Sequence, residues 1–158
     1  MRIAVAIPCY KVIQHVLDVI GQIGPEVSVI YAVDDACPDG SGAFIEANNT
    51  DPRVRVLYNP QNLGVGGAVV MAYKAAIADG MDIVVKIDGD GQMSPALLPK
   101  FVHPLLAGRA DYSKGNRFYR PESVQDMPPI RLFGNAVLSF LTKLSRGYWN
   151  ITDPPNGS

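Results

Sequence analysis

Hydrophobic positions along the chain fall into two alternating rhythms. Runs rich in β-branched residues, each bounded by Pro, Gly or Asp, predict strands over residues 2–7, 27–33, 54–58 and 82–87. Between them, apolar residues at helical spacing predict helices over 13–23, 41–48 and 63–78, with another from Ser94 that carries Pro95 at its first position. Gly24-Pro25 stops the first helix and Gly80 stops the third, while Asp39 or Ser41 is the expected cap of the second. Residues 110–114 predict a fifth strand. Strand–helix alternation with short links implies an α/β fold, a mainly parallel sheet in three α/β/α layers. With strand order 3-2-1-4, the ends of strands one and four flank one crevice at the carboxyl edge, where open sheets bind ligands.

Three polar strand exits meet that edge: Pro8-Cys9-Tyr10, Asp34-Asp35 and Asp88-Gly89-Asp90. Beyond Asn116 the pattern changes. Residues 119–129 are polar and proline-containing, suited to a loop, and 130–144 form an amphipathic helix with Leu132, Phe133, Val137, Phe140, Leu141 and Leu144 largely on one face.

At 158 residues the chain is long enough for one domain with a real core. Apolar residues make up 47% and charged ones 18%, against roughly 25% charged in ordinary soluble domains. A formal net charge of −1 supplies no overall attraction to nucleic acid, which is not an expected partner. No run approaches the roughly 18 apolar residues of a membrane span, and the first eight residues are too strand-like for a signal peptide. Cys9 and Cys37 are expected as reduced thiols of a cytoplasmic protein rather than a disulfide or zinc ligands. His15 and His103 sit in helical segments with no nucleophile pattern beside them and are read as structural or solvated.

The chemistry concentrates in Lys86-Ile87-Asp88-Gly89-Asp90-Gly91-Gln92. Carboxylates at a strand end are solvated, salt-bridged or metal-bound, because they do not sit bare in an apolar sheet. Gln92 adds an amide oxygen, and Gly89 and Gly91 allow close backbone approach. An all-oxygen set of Asp88, Asp90 and Gln92 suits Mg²⁺ or Mn²⁺ completed by ligand phosphates. Of the pair Asp34-Asp35, one acid can accept a hydrogen bond from a nucleobase N–H while the other orients the loop. Asn62-Leu63-Gly64-Val65-Gly66-Gly67 looks like a dinucleotide fingerprint, but Val69 stands at the third glycine position and the run follows the third strand. Its glycines serve a tight helix start, with anion contact at the helix N-terminus as an option. Arg117 and Arg131 are either phosphate ligands or solvated surface residues.

Taken together these pieces resemble glycosyltransferase family 2, the nucleotide-sugar transferases of GT-A fold. The likeness rests on Ile7-Pro8-Cys9-Tyr10, on Val33-Asp34-Asp35 with Asp39-Gly40-Ser41, on Asn62-Leu63-Gly64 and on Asp88-Gly89-Asp90-Gly91-Gln92. Gly115-Asn116-Arg117-Phe118, Arg131 through Gly134-Asn135, and Asp153-Pro154 through Gly157 resemble the branch that includes dolichyl-phosphate mannose synthase and related polyprenyl-phosphate glycosyltransferases. After the tyrosine the family usually carries Asn-Glu, where this chain has Lys11-Val12.

The resemblance implies that Pro8, Tyr10, Asp35, Asn62, Gly64 and Asp88 bind the nucleotide-sugar. It places the cation on Asp88, Asp90 and Gln92, and makes Asp90, Arg117 and Arg131 the catalytic set, the two arginines facing the phosphate of a lipid acceptor. The implied reaction is metal-dependent, inverting transfer of a sugar to a polyprenyl phosphate or a saccharide, in polysaccharide or glycolipid synthesis. The amphipathic helix near 130–145 would lie at the cytoplasmic face of a membrane or pack on a further segment. The family pattern continues past Gly157, so a truncated catalytic domain is expected, with a nucleotide-binding part over about 1–117 and the start of an acceptor-side part over about 118–158. Two other readings stay open. A sugar nucleotidyltransferase also joins parallel strands, acids and Mg²⁺, but usually has a glycine-rich basic run after its first strand. A nucleotide-sugar-binding fragment without activity would share the same acids.

Overall fold

The computed structural model describes residues 1–115. Its sheet has four parallel strands in the order β3-β2-β1-β4, with β1 at Ile3–Cys9, β2 at Val27–Asp34, β3 at Val54–Tyr58 and β4 at Ile83–Lys86. The expected strand order is thus the observed one. Helices α1 (Val16–Gly21), α2 (Ser41–Asn48), α3 (Gly64–Ala78) and α4 (Leu98–Leu106) connect or follow the strands, α4 entered through a short 3₁₀ turn at Pro95–Leu97.

Alternation along β1 explains the layering. Ile3, Val5, Ile7 and Cys9 face one side and pack with Val16, Val19 and Ile20 of α1, Ile45 of α2, and Leu98 and Val102 of α4. Ala4 and Ala6 face the other side and meet Ala68, Ala72 and Ala76, a four-residue spacing that forms one stripe of α3. Small residues on both partners let α3 approach the sheet closely, and its N-terminus therefore arrives at the carboxyl edge beside β1. No helix among the described residues is long and apolar enough to cross a membrane.

Three boundaries differ from expectation. The first helix begins at Val16, because Val12 C=O accepts from both His15 N–H and Val16 N–H and residues 13–15 form a turn. Residues 110–114 are not a strand: Tyr112, the one large apolar side chain there, is 77% exposed and so does not bury a face on the sheet. The expected caps of α2 are also replaced. Its N-cap is Gly40 in the left-handed region at φ 65°, with no side-chain cap of its own. The Ser41 hydroxyl lies instead 3.1 Å from Cys37 Sγ. Asp34, from the end of β2, caps the helix by accepting from Gly42 N–H at 2.6 Å.

Candidate functional site

The exits of β1, β2 and β4 enclose an open crevice of about 180 Å³, lined by Pro8, Tyr10, Asp35, Asp88, Asp90 and the first turn of α3 among others. Whole small-molecule sites run from roughly 300 Å³ upward, so this crevice accommodates part of a ligand. Its position follows from parallel topology: every strand of such a sheet ends at the same edge. Two glycines shape the rim. A Cβ on Gly89 would stand 3.2 Å from Ile7 Cγ2 and 3.4 Å from Val12 Cγ2, so glycine lets the β4 exit lie against the β1 exit. Gly91 turns the chain at φ +77°, a conformation glycine adopts without steric cost.

The two acids ending β2 divide the work. Asp34 is 4% exposed and spends both oxygens on structure: Oδ1 accepts from Cys37 N–H at 2.7 Å and Oδ2 from Gly42 N–H. A Cβ on Gly42 would stand 2.6 Å from Tyr58 Cε1 and 2.9 Å from Asp34 Cβ, so only glycine fits this docking. Asp35 is 3% exposed and lines the crevice. Its Oδ1 accepts from Asn59 Nδ2 at 2.6 Å and from Leu63 N–H at 3.0 Å. The loop before α3 is thereby tied to β2.

Asn62 and Gly64 shape that loop rather than the crevice wall. Asn62 Oδ1 accepts from Gly64 N–H at 2.9 Å, and Gly64 stands at φ +72°. The residues of α3 that reach the crevice are Val65 and Ala68.

Asp88 and Asp90 both line the crevice. Lys86 Nζ lies 2.6 Å from Asp88 Oδ1, with the two side chains 32% and 28% exposed. Asp90 is exposed, and its Oδ1 accepts from Gln92 N–H at 3.0 Å. Gln92 is itself exposed and lies outside the crevice lining. Among the described residues no group of three or more His, Cys, Asp or Glu is placed to hold a metal by itself. The donor set nonetheless fits a hard cation: two carboxylates, each with one oxygen engaged by the chain and one left over, need only ligand oxygens to complete a shell.

The two cysteines are free thiols in opposite states. Burial, with help from Asp34, pushes Cys9 up to about 12. Burial also raises Cys37, but the Ser41 hydroxyl and backbone N–H donors outweigh it and hold the thiol below its ordinary value. One of those donors is Lys11 N–H, 3.1 Å from Cys37 Sγ. Lys11 and Ala36 are the non-glycine residues with positive φ among the described residues, at 57° and 51°. Cys37 thus bridges the two exits that carry the strained positions. Tyr10 is half exposed, with Lys11 Nζ 5.6 Å from its ring centroid.

The crevice therefore joins Pro8, Tyr10, Asp35, Asp88 and Asp90 of the expected site, with Asn62, Gly64 and Gln92 beside it. Arg117, Arg131 and the amphipathic segment 130–144 lie outside the described residues. His15 and His103 are exposed, as solvated residues would be. Lys86, Asn59 and Cys37 were not marked by the sequence pattern as site residues. Only for Lys86 was there a signal, a cation two positions before Asp88 on a strand, where alternate residues share a face.

The sequence profile of "Glycosyl transferase family 2" matches residues 4–157. A UDP-N-acetylglucosamine–dolichyl-phosphate N-acetylglucosaminyltransferase of Methanococcus voltae is 37% identical over 105 residues, covering 66% of this chain and 41% of that protein. An undecaprenyl-phosphate mannosyltransferase of Micrococcus luteus is 30% identical over 156 residues, 97% of this chain and 63% of the relative. The chain thus spans less than two thirds of either relative's length. Among solved structures, glucosyl-3-phosphoglycerate synthase from Mycobacterium tuberculosis, in complex with Mn²⁺, uridine diphosphate and glucosyl-3-phosphoglycerate, superposes with a TM-score of 0.56 at 25% identity, covering 90% of this chain and 52% of the synthase. The four-stranded parallel sheet with helices on both faces is that of the GT-A glycosyltransferases.

Proposed function

This chain belongs to glycosyl transferase family 2, and from that membership we propose that it carries the donor-binding part of a metal-dependent, inverting transferase acting from a nucleoside-diphosphate sugar onto a polyprenyl phosphate. The observation that carries the reading is the crevice itself, where Asp35, Asp88 and Asp90 from two strand exits meet Pro8 and Tyr10 from a third. In this reading Pro8, Tyr10 and Asp35 hold the nucleoside. Asn62 and Gly64 set the α3 start that closes the pocket. Asp88 and Asp90, joined by the Gln92 amide, would hold Mg²⁺ or Mn²⁺. Such an ion supplies charge stabilisation for the departing diphosphate, the largest electrostatic demand of the reaction.

The acceptor side follows from charge. A phosphate oxygen of the lipid attacks the anomeric carbon, the bond from that carbon to the diphosphate breaks, and the nucleoside diphosphate leaves with the electron pair. No carboxylate base is needed, because the attacking oxygen is already anionic. A saccharide hydroxyl would need one. Arg117 and Arg131 would face the lipid phosphate, and residues 130–145 would lie at the cytoplasmic face of the membrane. The reading is supported by the two relatives, a dolichyl-phosphate N-acetylglucosaminyltransferase and an undecaprenyl-phosphate mannosyltransferase. The test has two arms. By calorimetry, Mn²⁺ should tighten binding of a nucleoside diphosphate to the chain, and unchanged affinity would remove the cation from Asp88 and Asp90. In the complete protein Arg131→Ala should block transfer to polyprenyl phosphate; normal transfer by that variant would refute the lipid-phosphate role.

A further inference from the structure

The Asp90 carboxylate stands where it does for reasons that its own contacts do not supply. It is exposed, and its one hydrogen bond among the described residues is the local one from Gln92 N–H. Its position is therefore set by its backbone. That backbone runs between Gly89 and Gly91, the most permissive residues a chain can place on either side of a ligand. Neighbours must take up that freedom, and both glycines face one turn. A Cβ on Gly89 would stand 3.4 Å from Val12 Cγ2 and 3.5 Å from Val12 Cβ. A Cβ on Gly91 would stand 3.6 Å from His15 Cβ, 3.7 Å from its Cγ and 3.9 Å from Nδ1. The His15 side chain thus covers the place where Gly91 has no side chain of its own. The turn itself is firm. Val12 is 8% exposed, and its carbonyl accepts from His15 N–H and Val16 N–H, both at 3.0 Å. His15 C=O accepts from Val19 N–H at 3.0 Å, which ties the residue to α1.

We infer that His15 is a positioning residue for the cation loop, its side chain bracing the Gly91 turn and through it the Asp90 carboxylate. The inference rests on the donor-binding reading above. His15 is outside the crevice lining, so it acts through the loop and not on the ligand. The bulk of the ring matters here and its charge does not, because the nearest atoms are Cβ and Cγ. Residues that support a metal ligand in this way contribute about tenfold to a hundredfold in metal affinity. Because the same short segment carries Tyr10 into the crevice, the brace also ties the cation loop to the exit of β1.

Calorimetry with uridine diphosphate and with guanosine diphosphate, each in Mn²⁺ and in chelator, tests this on the whole chain. His15→Ala should lower affinity for the tighter nucleotide in Mn²⁺ by about tenfold and leave its affinity in chelator unchanged. His15→Phe keeps a ring against Gly91 and should recover most of that loss. His15→Ser removes the ring but improves the N-cap of α1, where His15 makes no side-chain bond. It should lose the Mn²⁺ effect as His15→Ala does, while its thermal midpoint holds or rises. Should His15→Ala fail to fold, His15→Ser decides. Unchanged affinity in Mn²⁺ for the small variants, or a loss in His15→Phe equal to theirs, overturns the inference. An equal fall in Mn²⁺ and in chelator overturns it too, because general loosening of α1 would produce that. If Mn²⁺ tightens neither nucleotide on the unaltered chain, the cation reading fails first and takes this inference with it.

Discussion

At the amino edge of the sheet, acids are met by the chain's own cations and donors. Arg53 clasps Asp51 through Nε and Nη2 and also donates to the carbonyls of Ile23, Gly24 and Val27. Asp79 Oδ2 takes Arg55 at 2.6 Å and the Tyr31 hydroxyl at 2.5 Å, and Asp82 takes the N–H of Arg2. At the carboxyl edge the ledger is open. Asp35 and Asp90 meet only backbone or amide donors among the described residues, and Asp88 meets one lysine. Both edges are rich in acid, so composition does not separate them; what separates them is who supplies the counter-charge. A paired edge holds the fold together. An edge with acids left over is electrostatically costly alone and becomes stable when a cation or a hydrogen-bonding ligand arrives.

The largest expected effect lies at the paired edge. Arg53→Ala removes an ion pair and three carbonyl bonds at once and should lower unfolding free energy in urea by about 2–4 kcal/mol. Nucleotide affinity of the folded variant should stay unchanged; a parallel loss of binding would break the division between the edges. Next comes Asp90→Ala, which should weaken Mn²⁺-dependent nucleotide binding by at least about a hundredfold, the top of the range for a residue that only supports a ligand. Its thermal midpoint should hold or rise slightly, since a like charge leaves the neighbourhood of Asp88. A large drop in midpoint would make Asp90 structural.

Lys86→Met sharpens the comparison from the other direction. The lysine is the chain's own partial answer to Asp88, so removing it should raise affinity for Mn²⁺ alone on the order of fivefold, read by calorimetry without nucleotide. A weaker metal response would show that Lys86 instead holds Asp88 in place. The smallest effect is acid sensitivity at the amino edge. Hydrogen bonding from Arg53 holds the Asp51 carboxyl below its ordinary value. Its folded pKa lies under its unfolded one, so its contribution is fully present above about pH 4 and is lost as pH falls through the folded value. Denaturation curves between neutral pH and pH 3 should show Asp51→Asn losing about 1 kcal/mol less than the unaltered chain.

Much of this was legible in the pattern of residues, for reasons that differ by feature. The strand order could be anticipated because parallel strands joined by short helical links admit few arrangements, and because Asp34-Asp35 and Asp88-Gly89-Asp90 both end apolar runs. The helix boundaries were less legible. Ile13 fits the apolar spacing of α1, yet Val12 C=O captures two N–H groups and delays the helix to Val16. The cap of α2 was not legible because a cap expected from the sequence comes from neighbouring positions such as Asp39 or Ser41, and Asp34 reaches Gly42 from a different element. Residues 110–114 come where the alternation of strand and helix places a fifth strand, but none of them is buried.

What the sequence determined by itself is local and periodic: which runs extend, which coil, which edge collects acids, and which family those motifs match. Hydrogen-bond periodicity and the two-residue alternation of strands are written in neighbouring positions, so no distant contact is needed to read them. Only the tertiary structure decided how two adjacent aspartates differ. Asp34 turns inward to cap a helix, and Asp35 keeps one oxygen for the crevice because Asn59 and Leu63, 24 and 28 positions away, have taken the other. An acceptor's remaining capacity depends on every donor that folding brings to it, and that sum exists only once the chain is folded.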